Sequence, residues 1–176
     1  MSGDTALLIL DVQVNMFDAP PPLYRAAEVL ERIEALIAGA RAARIPIVYV
    51  QHSGGLGTPD APGSPGWQIH PAITPRAEDL VVEKRMPDAF ESTMLHHELQ
   101  TRGIEHVILA GMQTDLCIDS TCRRAVALGY TVTVVADAHS TFASEDATAA
   151  AVVEQYNHDL ASMARVLPTS EVLALR

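Results

Sequence analysis

Residues 6–11, "ALLILD", decide the fold of this chain, because five consecutive apolar residues end on a carboxylate. An uninterrupted apolar run of this kind is typical of a strand that is buried on both faces of a parallel sheet. Open parallel sheets bind their ligands outside the carboxyl ends of their strands. The segment therefore predicts both a central strand and, at Asp11, a polar residue at the edge where ligands bind.

The rest of the chain repeats this alternation of apolar runs and helical patterns. Further strands are predicted at 45–52, 79–84, 105–112, 130–137 and 164–168, and helices at 24–43, 92–103, 116–128 and 144–162. This order predicts an α/β, three-layer Rossmann-like fold, with a mostly parallel six-stranded sheet and helices on both faces. We expect Ser92 and Ser144 to cap their helices, with acids in the first turn of the second one, and Gly103 and Gly129 to end theirs.

Length and charge limit the possible functions. The 176 residues fit one domain spanning residues 1–176, and a net charge of −10 without a basic patch argues against a nucleic-acid partner. The sequence contains no apolar stretch of membrane-spanning length, and its first residues lack the basic region of a signal peptide. We therefore expect a cytoplasmic protein without a membrane partner, and no structural disulfide between its two cysteines, Cys117 and Cys122.

A long segment rich in glycine and proline, residues 53–78, interrupts the regular pattern. Loops of this length in a compact domain are usually functional. The only tryptophan, Trp67, lies in this loop, where it either stacks on a substrate or anchors the loop on the core. Phe17 either forms a wall of the pocket or packs in the core. His139 follows a strand and is expected near the site, with a role as a second base as the less favoured interpretation.

Three polar residues follow predicted strands and can converge if those strands are neighbours: Asp11, Lys84 and Cys117. A thiol attacks as a thiolate, and we expect a helix N-terminus and Lys84 to lower the pKa of Cys117. Asp11 can accept the thiol proton and return it to a leaving amine. The backbone N–H groups of Gln113 and Cys117 can hold a developing oxyanion.

Each of the three residues also has a purely structural interpretation. Asp11 can be a helix N-cap, Lys84 a solvated strand end, and Cys117 a small buried apolar residue. Their shared position at strand ends favours a catalytic site, but the residues alone leave both interpretations open.

Three segments carry a family resemblance: "LILDVQVNMF", "VVEKRMPDAFESTML" and "GMQTDLCIDSTCRRAVALGYTVTVVADA". They resemble the isochorismatase-like cysteine hydrolases, which include nicotinamidases, N-carbamoylsarcosine amidases, streptothricin hydrolases and isochorismatases. The resemblance extends from about residue 5 to about residue 160. It implies that Asp11 is the general acid and base, Lys84 its catalytic partner and Cys117 the nucleophile.

The resemblance also implies the reaction and the architecture of the turn before Cys117. A cis peptide between Met112 and Gln113 would direct the Gln113 N–H toward the oxyanion, and Thr114 would help to hold this turn. The implied activity is hydrolysis of a non-peptide amide C–N bond of a small molecule through a thioester, without a cofactor. The family is commonly oligomeric, so we expect a homo-oligomer, a dimer or tetramer, to which the small apolar segment 147–153 contributes an interface.

The sequence departs from one pattern within the family. Nicotinamidases bind a metal through an Asp-x-His pair after the second strand, but this chain has Val50, Gln51 and His52 there. His52 and His70 without a carboxylate are a weak metal signal, so we predict no metal and place His52 in the substrate pocket. Two alternatives stay open: an isochorismatase-type vinyl-ether hydrolase, and a catalytically silent ligand-binding or scaffold protein.

Overall fold

The apolar segments pair into one six-stranded sheet in which every neighbouring pair of strands is parallel. The structure, a computed structural model, describes residues 3–175. Its strands follow the spatial order β3-β2-β1-β4-β5-β6. Their bounds are β1 (Thr5–Leu10), β2 (Ile47–His52), β3 (Leu80–Lys84), β4 (His106–Met112), β5 (Thr131–Ser140) and β6 (Arg165–Leu167). The predicted α/β fold with its six strands is confirmed.

Within residues 3–175, six α-helices connect and cover these strands. They are α1 (Val14–Asp18), α2 (Ala26–Ala42), α3 (Leu95–Thr101), α4 (Asp119–Ala127), α5 (Ala149–Leu160) and α6 (Thr169–Ala174). The sequence pattern did not predict α1 and α6, because helices of five and six residues are too short to show a helical period. The long loop also contains a 3-10 turn at Pro71–Ile73.

Side chains of β1 point alternately into two separate cores, which explains why its apolar run is uninterrupted. Leu8 and Leu10 belong to one core together with residues of α3 and α4. Leu7 and Ile9 belong to the other core together with residues of α2 and α6. Helices therefore cover both faces of the sheet, as the three-layer prediction requires. Among residues 3–175, no helix combines the length and apolar character that crossing a membrane requires.

The ends of β1 and β4 lie side by side at the centre of the sheet, where the strand order reverses. Leu10 pairs with Gly111 in this register. Gly111 has φ +127°, and a Cβ atom there would lie 2.0 Å from the Leu10 carbonyl oxygen. Only glycine therefore fits, and the close approach brings the residues after β1 and β4 together. Such a reversal is the usual place for a ligand site in an open α/β sheet.

The expected cap of α3 is wrong. The helix begins after Met94, whereas Ser92 lies outside it with φ +55°. The nearby Thr93 hydroxyl accepts a hydrogen bond from the Leu95 N–H instead. Ser92 lies too far ahead of the helix to reach its free N–H groups. Gly103, with φ +66°, follows the helix as predicted.

The expected cap of α5 is also wrong, for a similar reason. Ser144 accepts hydrogen bonds from the N–H groups of Asp146 and Ala147, so it closes a separate turn before the helix. Thr148 is the true cap and accepts from the Ala151 N–H. The acids of this segment therefore precede the helix, and its first turn contains none.

Candidate active site

Asp11 follows β1 directly and has a left-handed backbone, with φ +50°. Its N–H donates to the Val50 carbonyl at 2.9 Å. Asp11 therefore extends the hydrogen bonding between β1 and β2 by one residue, at the point where the chain leaves β1. Its side chain is completely buried. A non-glycine residue with this conformation costs roughly 1–3 kcal/mol and is found disproportionately at functional sites.

Lys84 is the last residue of β3, and its ammonium contacts both other members of the predicted triad. Nζ lies 2.8 Å from Asp11 Oδ2 and 3.2 Å from Cys117 Sγ. The three strands are not all neighbours, because β2 separates β3 from β1. The gap is about 10 Å, or two strand spacings, and the lysine and aspartate side chains together span it.

Cys117 lies in a π-helical segment, Thr114–Ile118, and not in the first turn of an α-helix as predicted. The Ile118 N–H donates to the Gln113 carbonyl at 3.0 Å, which closes this wider turn before α4 begins. Single π-turns of this kind are frequent at functional sites. Cys117 retains 9% exposure, whereas Cys122, in α4, is fully buried in the core.

The Lys84 ammonium has two further acceptors besides the triad. It donates to the Met86 carbonyl at 3.0 Å, and His52 Nδ1 lies 3.3 Å away. The ammonium has three hydrogens, so it donates to at most three of these four neighbours at once. His52 Nε2 faces Asp60 Oδ2 of the long loop at 3.7 Å. The predicted pocket residue His52 therefore lies at the site, and Asp60 is a neighbour that the sequence did not indicate.

Burial dominates the electrostatics of the triad. Burial raises the pKa of Asp11, although Lys84 opposes this shift. Burial alone would lower the pKa of Lys84, but the charge of Asp11 raises it overall. Burial, followed by the Asp11 charge, raises the pKa of the Cys117 thiol from 9.0 to about 12, and Lys84 only partly offsets them. The expected lowering of this pKa is therefore wrong, and the resting group is a thiol beside a carboxylate.

Gln13 fastens the long loop to the site. Its Nε2 donates to the carbonyls of His52 and Trp67, both at 2.9 Å, and its Oε1 accepts from the His52 N–H at 2.8 Å. The Trp67 indole N–H donates to Ser53 Oγ at 3.0 Å. Trp67 therefore makes an anchoring contact, while its predicted contact with a substrate stays a prediction.

Phe17 and His70 pair with each other rather than with the triad. Their ring centroids are 4.6 Å apart, and Phe17 packs against the core beneath α2. His52 and His70 therefore face different partners. Within the described part of the chain, no three His, Cys, Asp or Glu side chains cluster as a metal site would require. The absence of a catalytic metal stays a prediction.

The turn between β4 and Cys117 contains a cis peptide, between Met112 and Gln113, at the position that the family resemblance implies. The next residue, Thr114, is fully buried, and its hydroxyl lies 2.8 Å from His139 Nδ1. His139 is thus near the site, as its strand end predicted, but its described contact is with this turn. Its second partner, Asn157, gave no signal in the sequence because it lies on a distant helix.

Comparison with known proteins agrees with this geometry. The family model of the Isochorismatase domain matches residues 5–170. The chain is similar to a streptothricin hydrolase of Streptomyces noursei, with 36% identity over 137 residues, which cover 78% of this chain and 50% of that protein. It is also similar to a ureidoacrylate amidohydrolase of Caulobacter vibrioides, with 26% identity over 171 residues and 76% of each chain covered. The chain thus spans about half the length of the streptothricin hydrolase.

Solved structures give the same result. An isochorismatase from Pseudomonas putida superposes with a TM-score of 0.90 at 33% identity, covering 96% of this chain and 90% of that one. Together with the match over residues 5–170, this likeness leads to one conclusion: the chain belongs to the isochorismatase family of hydrolases.

Proposed function

We propose that this protein is an amidohydrolase that cleaves a non-peptide C–N bond of a small molecule through a thioester on Cys117. The observation that carries the proposal is the position of Lys84 Nζ, 2.8 Å from a buried carboxylate and 3.2 Å from the Cys117 sulfur. A nucleophile, a base and a cation in mutual contact are the groups that covalent amide hydrolysis needs. The names of two similar proteins, a streptothricin hydrolase and a ureidoacrylate amidohydrolase, support hydrolysis and, for the second, an amide substrate.

The first step follows from the electrostatics. With a pKa of about 12, Cys117 does not ionise at rest, so its proton leaves as the new bond forms. The proton moves to Asp11, whose raised pKa makes it a stronger base than an ordinary carboxylate. Sγ bonds to the carbonyl carbon in the same step, and the negative charge passes from the Asp11 carboxylate to the carbonyl oxygen, while the Lys84 ammonium stabilises charge that develops on the sulfur.

The remaining steps return each group to its starting state. The tetrahedral oxyanion would be held by the N–H groups of Gln113 and Cys117. Asp11 gives its proton to the amine as the C–N bond breaks. Asp11 next takes a proton from water as the oxygen attacks the thioester, and the sulfur leaves and regains that proton. The products are a carboxylic acid and an amine, and the enzyme is unchanged.

One observation favours an alternative within the family. A thiol with a raised pKa can also remain a spectator, in which case Asp11 would protonate a vinyl ether without a covalent intermediate. This is the isochorismatase-type reaction. The third possibility, a silent ligand-binding or scaffold protein, has the same residues but no turnover. Cytoplasmic location and a homo-oligomeric state stay predictions.

A substrate panel separates these possibilities. The full chain is incubated with streptothricin, ureidoacrylate, nicotinamide and isochorismate, and products are identified by mass spectrometry. We expect the wild type to hydrolyse one of the amides. This activity should disappear in Cys117→Ala and in Asp11→Asn, and it should persist in the matched control Cys122→Ala. Turnover of isochorismate that survives Cys117→Ala would support the ether reaction, and the absence of any turnover would support the silent protein.

A further inference from the structure

A chain of three hydrogen bonds runs behind the turn that precedes Cys117. Thr114 Oγ1 lies 2.8 Å from His139 Nδ1, and His139 Nε2 lies 2.9 Å from Asn157 Oδ1. Asn157 Nδ2 donates to the Ala136 carbonyl at 3.0 Å. The chain joins β5 and α5 to the residue immediately after Gln113. The proposed catalytic steps use neither His139 nor Asn157.

The fixed end of this chain determines every proton in it. The Ala136 carbonyl can only accept, so the Asn157 amide must present its nitrogen there and its oxygen to His139. His139 therefore carries a hydrogen on Nε2, and the neutral ring, which burial favours, accepts at Nδ1. The Thr114 hydroxyl must then donate to Nδ1. One backbone carbonyl thus fixes the direction of a hydroxyl at the candidate site.

The surroundings of His139 keep the ring in this state. Only 2% of the residue is exposed, and this burial lowers its pKa, so the neutral ring persists. A cavity of about 380 Å³ has His139 and Asn157 in its wall. The charged groups in the same wall are Arg25, Glu28, Arg32, Asp137 and Glu154.

We propose that His139 and Asn157 are positioning residues that act through Thr114 to hold the Gln113 N–H in place for the oxyanion. The inference rests on the proposed function, because it assigns a purpose to the turn only if an oxyanion forms there. Neither residue touches the described sulfur, carboxylate or ammonium. Their effect should therefore appear in the stability of a tetrahedral adduct and not in the accessibility of the thiol.

Two probes separate these effects. Carbon-13-labelled acetaldehyde forms a hemithioacetal: the Cys117 sulfur bonds to the carbonyl carbon, and the thiol proton ends on the former carbonyl oxygen. Its dissociation constant, followed by NMR, reports on the groups around that oxygen. Iodoacetamide alkylates the same sulfur by displacing iodide and converts no carbonyl oxygen, so its rate reports on the thiol alone.

We expect His139→Ala and Asn157→Ala to weaken the acetaldehyde adduct by roughly tenfold to a hundredfold, because small displacements of positioned groups have effects of this order. The iodoacetamide rate should stay within about twofold of the wild type. His106→Ala is the matched control, because His106 Nε2 makes a similar bond to the Thr133 hydroxyl, 2.9 Å long, at the start of β4, whereas the candidate site follows the end of that strand. This variant should leave both measurements unchanged.

Asn157→Asp tests the same role through the pH dependence of adduct stability, which a change in packing alone would not produce. This variant also provides a test if His139→Ala does not fold. The new carboxylate favours the protonated His139 ring, which would then donate from Nδ1 and force the Thr114 hydroxyl to turn. The adduct of this variant should weaken as the pH falls from about 8 to about 6, while that of the wild type should not.

The possible failures are distinguishable. Equal adduct stability in wild type, His139→Ala and Asn157→Ala, or a pH-independent adduct in Asn157→Asp, would overturn the positioning role. Failure of iodoacetamide and acetaldehyde to modify Cys117 in the wild type would instead overturn the proposed function on which that role rests.

Discussion

Lys84 Nζ and Asp11 Oδ2 form an ion pair 2.8 Å long, in which neither side chain has more than 1% of its surface exposed. The two residues come from strands that do not pair with each other, so the contact depends on the length of the lysine side chain. Each charge is buried, and the opposite charge of its partner offsets the free energy that is lost when it is removed from water. The pair is therefore as important for stability as for the proposed chemistry.

Removing one partner of this pair should destabilise the protein. Lys84→Met leaves Asp11 as an uncompensated buried charge, and we expect the free energy of unfolding to fall by about 3–5 kcal/mol at neutral pH. Without the cation, the pKa of Asp11 in the folded state rises further above its unfolded value. Part of the lost stability should therefore return as the pH falls through that raised pKa and the carboxyl becomes neutral.

Urea unfolding of Lys84→Met at several pH values measures this effect. The double variant Asp11→Asn with Lys84→Met is the control, because it removes both charges and should recover most of the loss. Equal destabilisation at every pH, or no recovery in the double variant, would contradict the predicted role of the ion pair.

Gly111→Ala should disrupt the centre of the sheet. The added Cβ would lie 2.0 Å from the Leu10 carbonyl oxygen, at a φ of +127° that side chains rarely adopt. We expect a loss of more than about 3 kcal/mol of stability, together with loss of the site. In the matched control Gly129→Ala, φ is +92° but no atom lies within 4 Å, so only about 1–2 kcal/mol should be lost. Thermal unfolding of both variants gives the comparison, and equal losses would show that the close approach is unimportant.

Gln13 should control the order of the long loop. Gln13→Ala removes three hydrogen bonds to His52 and Trp67, and we expect faster amide hydrogen exchange in residues 53–70 with a stability loss of about 1–3 kcal/mol. Gln51→Ala is a graded control, because Gln51 makes one such bond, to the Trp67 carbonyl at 2.7 Å. Exchange that is no faster in Gln13→Ala than in Gln51→Ala would be inconsistent with Gln13 as the main anchor.

The raised pKa of Cys117 predicts how alkylation depends on pH. Because the pKa is about 12, the thiolate fraction should increase about tenfold for each pH unit up to about pH 10. An ordinary cysteine would instead level off above its pKa of about 8.5. Iodoacetamide labelling followed by peptide mapping should show this continuing rise at Cys117, with Cys122 slower throughout because it has no exposed surface. A plateau at neutral pH would mean that the thiolate is already formed at rest.

Local patterns in the sequence predicted the sheet and placed the three residues of the triad after strands, whereas their catalytic roles were implied by the family resemblance. Continuous apolar runs such as 6–10 are typical of strands buried on both faces, and residues that follow the carboxyl ends of parallel strands lie at one edge of the sheet. The position of Lys84 at the end of its strand was therefore predictable. That β3 is an edge strand was not, because strand order depends on packing between distant segments.

Details that depend on tertiary contacts were not predictable. The π-turn at Cys117 and the direction of its pKa shift follow from how deeply the turn is buried. Serine is a common N-cap residue, but Thr148, and not Ser144, immediately precedes the first helical turn. His139 and Asn157 form a hydrogen bond, but no sequence motif connects the two residues and could have predicted this contact.

Trapping the covalent intermediate tests the proposed nucleophile directly. The wild type is mixed with an amide that it hydrolyses and is quenched in acid, and the Cys117 peptide is analysed by fragmentation mass spectrometry. We predict a mass increase equal to the acyl part of the substrate on Cys117 and not on Cys122, and no adduct or turnover in Cys117→Ala. Undiminished hydrolysis by Cys117→Ala would contradict the covalent mechanism.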